Sequence, residues 1–212
     1  FSEQIIPRPF DWGQHIHITG YWFLDTPAYE PPGDLKAFLE AGPPPVYVGF
    51  GSMPTKSPEQ MAELVSQALR LAGQRGILFT GRGILGQGMA QHAQAEDVFF
   101  LESAPHDWLF PRMAAVVHHG GAGTTAAGFR SGVPSVIIPF TNDQFAWGAR
   151  AFELGVSPAP IPRKKLTAEK LAQAIRLVMG EEIRKKARAL GEKILVENGA
   201  ADAAQVILNA VC

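Results

Sequence analysis

Six short apolar runs, at 46–50, 76–80, 98–101, 115–118, 135–138 and 156–159, recur along the chain after a proline-rich opening. They do not alternate with polar residues and are rich in Val, Ile and Phe, the pattern of strands buried on both faces of a parallel sheet. Helix-like stretches lie between them. The first, 58–71, has Ser57 as a candidate cap, Pro58 in its first turn and Met61, Leu64, Val65, Ala68 and Leu69 on one face. Further helices are predicted at 122–130, at 144–154 and at 168–179, the last capped by Thr167 with Leu171, Ile175 and Val178 inward. The tail, 181–211, reads as two helices broken near Asn198-Gly199. Strands alternating with helices predict an α/β fold, a Rossmann-like doubly wound parallel sheet of about six strands in the order 3-2-1-4-5-6, closed by C-terminal helices.

The opening residues 1–45 read as irregular, with turn signals at Pro31-Pro32-Gly33 and Gly42-Pro43-Pro44-Pro45. We expect them to form an interdomain segment leading into a domain at 46–212. Within the opening, Phe10, Trp12, Tyr21, Trp22 and Phe23 are expected to pack against the protein's own sheet, the alternative being contact with an apolar ligand or a membrane surface. The chain begins Phe1-Ser2-Glu3-Gln4, with neither an initiator Met nor a signal-peptide plan, and is expected to be the later part of something longer.

Composition removes several function classes. A net charge of −1 gives no electrostatic footprint for nucleic acid or an anionic membrane. Cys212 is the only cysteine, so a cysteine metal site or internal disulfide is not expected. No apolar run reaches the roughly 20 residues that span a bilayer. A cytoplasmic location, at most peripheral to a membrane, is the resulting expectation.

The predicted strand order carries a functional statement. The first and fourth strands are neighbours, and the switch-point crevice opens at their carboxyl ends. One wall is Gly49-Phe50-Gly51-Ser52-Met53, the other His118-His119-Gly120-Gly121-Ala122-Gly123-Thr124-Thr125. Small residues let backbone approach a ligand, and the free N–H groups where a helix begins attract anions. Thr124 and Thr125 add hydroxyl donors, and His119 can donate to a diphosphate and offset charge on a leaving group. His118 reads as a packing or supporting residue and Phe50 as core. Ser52 either contacts phosphate or nucleoside, with Gly51 beside it, or caps the next turn.

Asp143 and Gln144 follow the fifth strand. An acidic group beside an amide suits vicinal sugar hydroxyls, while capping of the next helix by Asn142 or Asp143 is the competing reading. After the third strand, Glu102-Ser103-Ala104-Pro105-His106-Asp107-Trp108 lies near the same rim, where its backbone can read a base edge, and Trp108 and Leu109 are expected to pack. The run Glu181-Glu182-Ile183-Arg184-Lys185-Lys186 is a solvated helix face. The glycine-rich stretch 81–88 is read as a loop, since neither a P-loop nor the dinucleotide G-x-G-x-x-G occurs at the first strand.

These motifs resemble a known family. Pro105-His106-Asp107-Trp108-Leu109-Phe110, Val116-Val117 with the His118–Thr125 run, and Pro139-Phe140-Thr141-Asn142-Asp143-Gln144-Phe145-Ala146-Trp147-Gly148 are similar to the donor-binding signature of inverting, nucleotide-diphosphate-sugar-dependent glycosyltransferases of the GT-B fold. The likeness is greatest to sterol and lipid-aglycone glucosyltransferases. Pro9-Phe10-Asp11-Trp12 and His15-Ile16-His17-Ile18-Thr19-Gly20-Tyr21-Trp22 resemble the interdomain entrance of the sterol enzymes.

The resemblance implies a C-terminal, nucleotide-sugar-binding half. His119 and the amides of Gly121 to Thr124 would bind the diphosphate, Ser52 would line the phosphate side, and Asp143 and Gln144 would hold the sugar. Uracil would be read near Ser103 and Ala104. Where the plant signature has a stacking Trp and a ribose-binding Glu, this chain has Ser103 and Ala127. The implied substrates are UDP-glucose or a similar nucleotide sugar and an apolar hydroxylated acceptor such as a sterol, with no cofactor and no metal required. The base that deprotonates the acceptor would belong to an N-terminal acceptor domain, so no catalytic residue is expected in this chain. Rival expectations are a non-catalytic nucleotide-sugar-binding subunit and a GT-B-like UDP-sugar epimerase.

Overall fold

The computed structural model describes residues 1–24, 28–51, 53, 57–81 and 97–211. Its sheet has five strands: β1 (Val46–Gly49), β2 (Gly76–Phe79), β3 (Val98–Leu101), β4 (Ala115–His118) and β5 (Ser135–Ile137). Their order is β3-β2-β1-β4-β5, and every neighbouring pair is parallel. β1 therefore lies against β4, with Gly49 opposite His118. This brings the ends of the first and fourth strands together, as the predicted order requires.

The expected sixth strand, 156–159, does not form. Backbone there makes isolated bonds beside β5: Ser135 N–H donates to the Val156 carbonyl, and Ile161 N–H to that of Ile137. Between them, Pro158 and Pro160 have no N–H to donate, so a ladder cannot be completed.

Helices cover both faces. Against one face pack α2 (Pro58–Ala72) and α6 (Ala168–Val178). Met61, Val65 and Leu69 from α2 and Leu171, Ile175 and Val178 from α6 meet Val46, Val48, Val117 and Val136, all buried. Opposite lie α1 (Gly33–Glu40), α3 (His106–Leu109), α4 (Ala122–Ser131), α5 (Gln144–Glu153) and α7 (Glu181–Leu195), with α8 (Gly199–Val211) completing the C-terminal pair. There Tyr47, Ile77 and Val116 pack on Leu35, Leu109 and Phe110, while Ile137 packs on Phe129, Ala151 and Ile194.

The opening segment is more structured than expected. Leu35 is fully buried, and Phe38 and Leu39 join its cluster, so α1 forms an amphipathic turn directly after two prolines. Ile5 is also fully buried, on the Phe129 side. Of the aromatic group, Tyr21 and Phe23 pack beside α4 and α7 rather than on the sheet, with the Arg130 guanidinium 4.4 Å over the Phe23 ring. Phe10 and Trp22 are exposed.

Two predicted caps have different outcomes. Thr167 Oγ1 accepts the Lys170 amide at 3.3 Å, as expected for a capping threonine. Ser57 makes no side-chain cap bond. Thr167→Ala should therefore cost about 1 kcal/mol in denaturant unfolding, and Ser57→Ala less than about 0.5 kcal/mol. Equal losses would contradict this distinction.

Candidate functional site

β4 and α4 are joined by a three-residue bend, His119-Gly120-Gly121. Gly120 has φ +88°, a conformation that L side chains rarely adopt. A Cβ there would lie 2.9 Å from Ile137 Cγ2 and 3.0 Å from the Gln144 carbonyl oxygen. Gly120 N–H donates to His118 Nδ1 at 3.1 Å. Gly121 occupies the N-cap position of α4 without a side-chain cap, and the first intrahelical bond runs from Thr125 N–H to its carbonyl at 2.9 Å. The amides of Ala122, Gly123 and Thr124 thus have no carbonyl one turn back, and Ala122 and Gly123 are exposed. Space beside Gly123 is open. An anion can reach these amides, and the helix dipole favours it there.

The two loops predicted to meet do so at His119. A Cβ on Gly51 would lie 3.1 Å from His119 Cε1, and one on Gly121 would lie against its Nε2. The imidazole is therefore held between the end of β1 and the start of α4. Ser52 lies outside the described residues, as does most of the predicted loop 81–88.

Burial lowers the pKa of His119, and the Asp143 carboxylate opposes that shift. Asp143 is thus electrostatically coupled to the ring across the bend. Its Oδ2 accepts a bond from Trp147 Nε1 at 3.0 Å, and neither it nor Asn142 caps α5 with its side chain. Gln144 is buried, with its Oε1 accepting from the amides of Phe140 at 2.8 Å and Thr141 at 3.2 Å. Its Nε2 lies 3.3 Å from Met53 Sδ. The Gln144 side-chain Oε1 is committed to shaping the loop after β5, so Nε2 is the side chain's remaining group for a ligand hydroxyl.

Buried side-chain polar atoms without a protein partner are concentrated here. Among the described residues they are His118 Nε2, His119 Nδ1, Thr125 Oγ1 and Glu197 Oε2. All but the last belong to one eight-residue motif. Leaving such an atom unpaired costs about 1–3 kcal/mol, so the clustering marks a place where hydrogen-bonding capacity is held in reserve. His118 itself is fully buried, its pKa pushed down to about 3 by burial and then by the neighbouring His119 and His106.

Ser103 is exposed and Ala104 half-buried on the neighbouring rim, between β3 and α3. Trp108 stacks edge-on with Tyr29 at 5.0 Å, and Leu109 is fully buried, so both pack as expected. A cavity of about 500 Å³ opens next to this rim, lined by Pro105, His106, Ala127, Arg130, Phe23 and Leu195 among others. It shares no residue with the His119–Thr125 bend. Sequence reasoning missed it, because its walls come from segments far apart in the chain and no local pattern joins them. Among the described residues no group of His, Cys, Asp and Glu is arranged to hold a metal ion.

The strand order and the glycine bend at the switch point make this chain a doubly wound, Rossmann-like parallel sheet. The fold matches that of the glycotransferase of kitacinnamycin, at TM-score 0.69 and 23% identity over 88% of this chain and 47% of that one. The chain belongs to the family of erythromycin biosynthesis protein CIII-like C-terminal domains, whose pattern matches residues 89–209. It is 43% identical, over 96% of its length, to sterol 3-beta-glucosyltransferase UGT80A2 of Arabidopsis thaliana. It is 38% identical, over 98% of its length, to O-mycaminosyltylonolide 6-deoxyallosyltransferase of Streptomyces fradiae. The chain spans 32% and 48% of the lengths of these two relatives.

Proposed function

We propose that this chain is the donor-binding half of an inverting glycosyltransferase that moves a hexose, glucose, from UDP to a hydroxyl of an apolar acceptor such as a sterol. The bend between β4 and α4 carries this reading. The unpaired amides of Ala122 to Thr124 take the diphosphate, His119 donates to it, and Asp143 with Gln144 Nε2 orients the sugar. Kinship to a protein named as a sterol glucosyltransferase supports glucose and sterol as the transferred group and acceptor class.

In the reaction, the acceptor oxygen forms a bond to the anomeric carbon as the bond to the phosphate oxygen breaks. The acceptor proton passes to a base in an N-terminal acceptor domain, and the bonding electrons leave with the diphosphate. The helix start and His119 stabilise that departing charge, so the reading assigns no step to a metal or other cofactor. Ser52 joins the phosphate side, Gly51, Ser103 and Ala104 the nucleoside side, and residues 1–45 the passage between domains. Among the described residues no helix is long and apolar enough to cross a membrane. The proposal places the protein in the cytoplasm, meeting a membrane only at its surface.

Titration of the chain with UDP in a calorimeter should give saturable binding. His119→Ala should weaken it about tenfold while leaving uridine binding unchanged, since only the diphosphate loses a donor. Absence of saturable binding, or a His119→Ala variant that binds as tightly, would falsify the assignment.

A further inference from the structure

We propose that His118, buried beneath the bend, is a positioning residue for the donor diphosphate: its unprotonated Nδ1 holds the Gly120 amide and thereby aims His119 and the first amides of α4. This rests on the reading of the bend as the diphosphate site.

His118 is tethered through two groups. Its carbonyl accepts the Ile138 amide at 2.9 Å, which fixes the end of β4 in the sheet. Its Nδ1 accepts the Gly120 amide at 3.1 Å, which fixes the first residue to turn away from the sheet. Gly120 is buried and in the left-handed region, so its N–H has little chance of an alternative partner. The residue between the two tethers is His119, whose ring then lands between Gly51 and Gly121. The residues after Gly120 begin α4. A single acceptor atom on His118 thus sets both the imidazole and the helix start.

The ring's surroundings keep that atom an acceptor. Burial and the adjacent imidazoles of His119 and His106 all disfavour the charged form. The neutral ring that accepts at Nδ1 carries its proton on Nε2, the atom without a protein partner. A packing role alone would be met by any side chain of similar size. A positioning role needs an acceptor on the atom bonded to Cγ.

Two substitutions separate these roles. Asn places its Oδ1 where the imidazole has Nδ1 and can accept from Gly120, but it buries an amide NH₂. Leu fills the space and can accept nothing. His118→Asn should keep UDP affinity within about threefold of wild type, and His118→Leu should lose about tenfold, with uridine affinity equal in all forms. Thermal stability does not separate the two: His118→Leu leaves the buried Gly120 N–H unpaired and His118→Asn buries an unpaired NH₂, so both should melt below wild type. If His118→Leu binds UDP as well as His118→Asn, the positioning role is overturned. A wild-type chain that takes no UDP overturns the nucleotide reading itself. Should neither variant fold, imidazole ¹⁵N NMR of the wild-type chain decides: a proton on Nε2 with Nδ1 bare supports the proposal, and a proton on Nδ1 overturns it.

Discussion

Gly120→Ala is expected to lower the melting temperature of the chain by about 10 °C and to reduce UDP affinity at least tenfold. Two costs add at this position. A left-handed conformation costs an L residue about 1–2 kcal/mol. The new methyl would also lie 2.9 Å from Ile137 Cγ2 and 3.0 Å from the Gln144 carbonyl oxygen. Neither neighbour can yield cheaply: Ile137 is a fully buried β-branched side chain in β5, and the carbonyl is backbone at the start of α5. Overpacking of this kind adds about 1–3 kcal/mol. The strain falls between the phosphate side of the site and the loop after β5, which carries Asp143 and Gln144. Relief by moving either wall changes the spacing of the groups that meet the donor. A melting temperature within about 2 °C of wild type would show that the bend tolerates a side chain and would remove the geometric basis of the site.

The sheet was legible because each strand packs apolar side chains against helices on both faces, so its residues form a largely apolar run. The sixth run, Val156-Ser157-Pro158-Ala159, fails, and the reason was also in the sequence: it has a single β-branched residue, and Pro158 and Pro160 remove donors that a ladder would need. α1 was missed for the converse reason. Prolines on either side drew the reading towards loop, although Leu35, Phe38 and Leu39 have the spacing of one helical face. At the site, the meeting of the β1 and β4 loops followed from strand order alone, and the Gly51–His119 approach agrees with it. The division of labour within the motifs did not follow. Nothing in the letters says that Gln144 commits its side-chain Oε1 to the amides of Phe140 and Thr141, or that Asp143 binds Trp147 rather than capping α5. Those choices depend on the path of the loop after β5, where Asn142 at φ 48° turns the chain. The distinction between the two adjacent histidines was half readable. Residue alternation puts His118 on the face of Val116 and His119 on that of Val117, but helices cover both faces, and the hydrogen bond to Gly120 exists only because the chain bends back over the ring.

Gly191→Ala should destabilise the chain by about 2–3 kcal/mol although it replaces the poorest ordinary helix former with the best. Gly191 lies in the middle of α7, where propensity alone predicts a gain of about 1 kcal/mol from Ala. Packing decides against it. A Cβ there would meet Gly132 Cα at 2.6 Å, Gly132 N at 2.7 Å and the Phe129 carbonyl oxygen at 3.1 Å. All these atoms are backbone, so no rotamer change can relieve the contact, and α7 must move away from α4 by about 1 Å in a core packed as densely as an organic crystal. That movement loosens Phe129, Ala187, Leu190 and Ile194, which share one buried cluster. Its effect on binding should differ from that of Gly120→Ala, because Gly132 follows the C-terminal end of α4 while the diphosphate is assigned to its N-terminal end. The folded Gly191→Ala chain should therefore bind UDP within about threefold of wild type despite its lower melting temperature. A loss of affinity as large as that from Gly120→Ala would mean that α4 moves as a rigid rod on α7, and that the site is set by helix docking rather than by the bend.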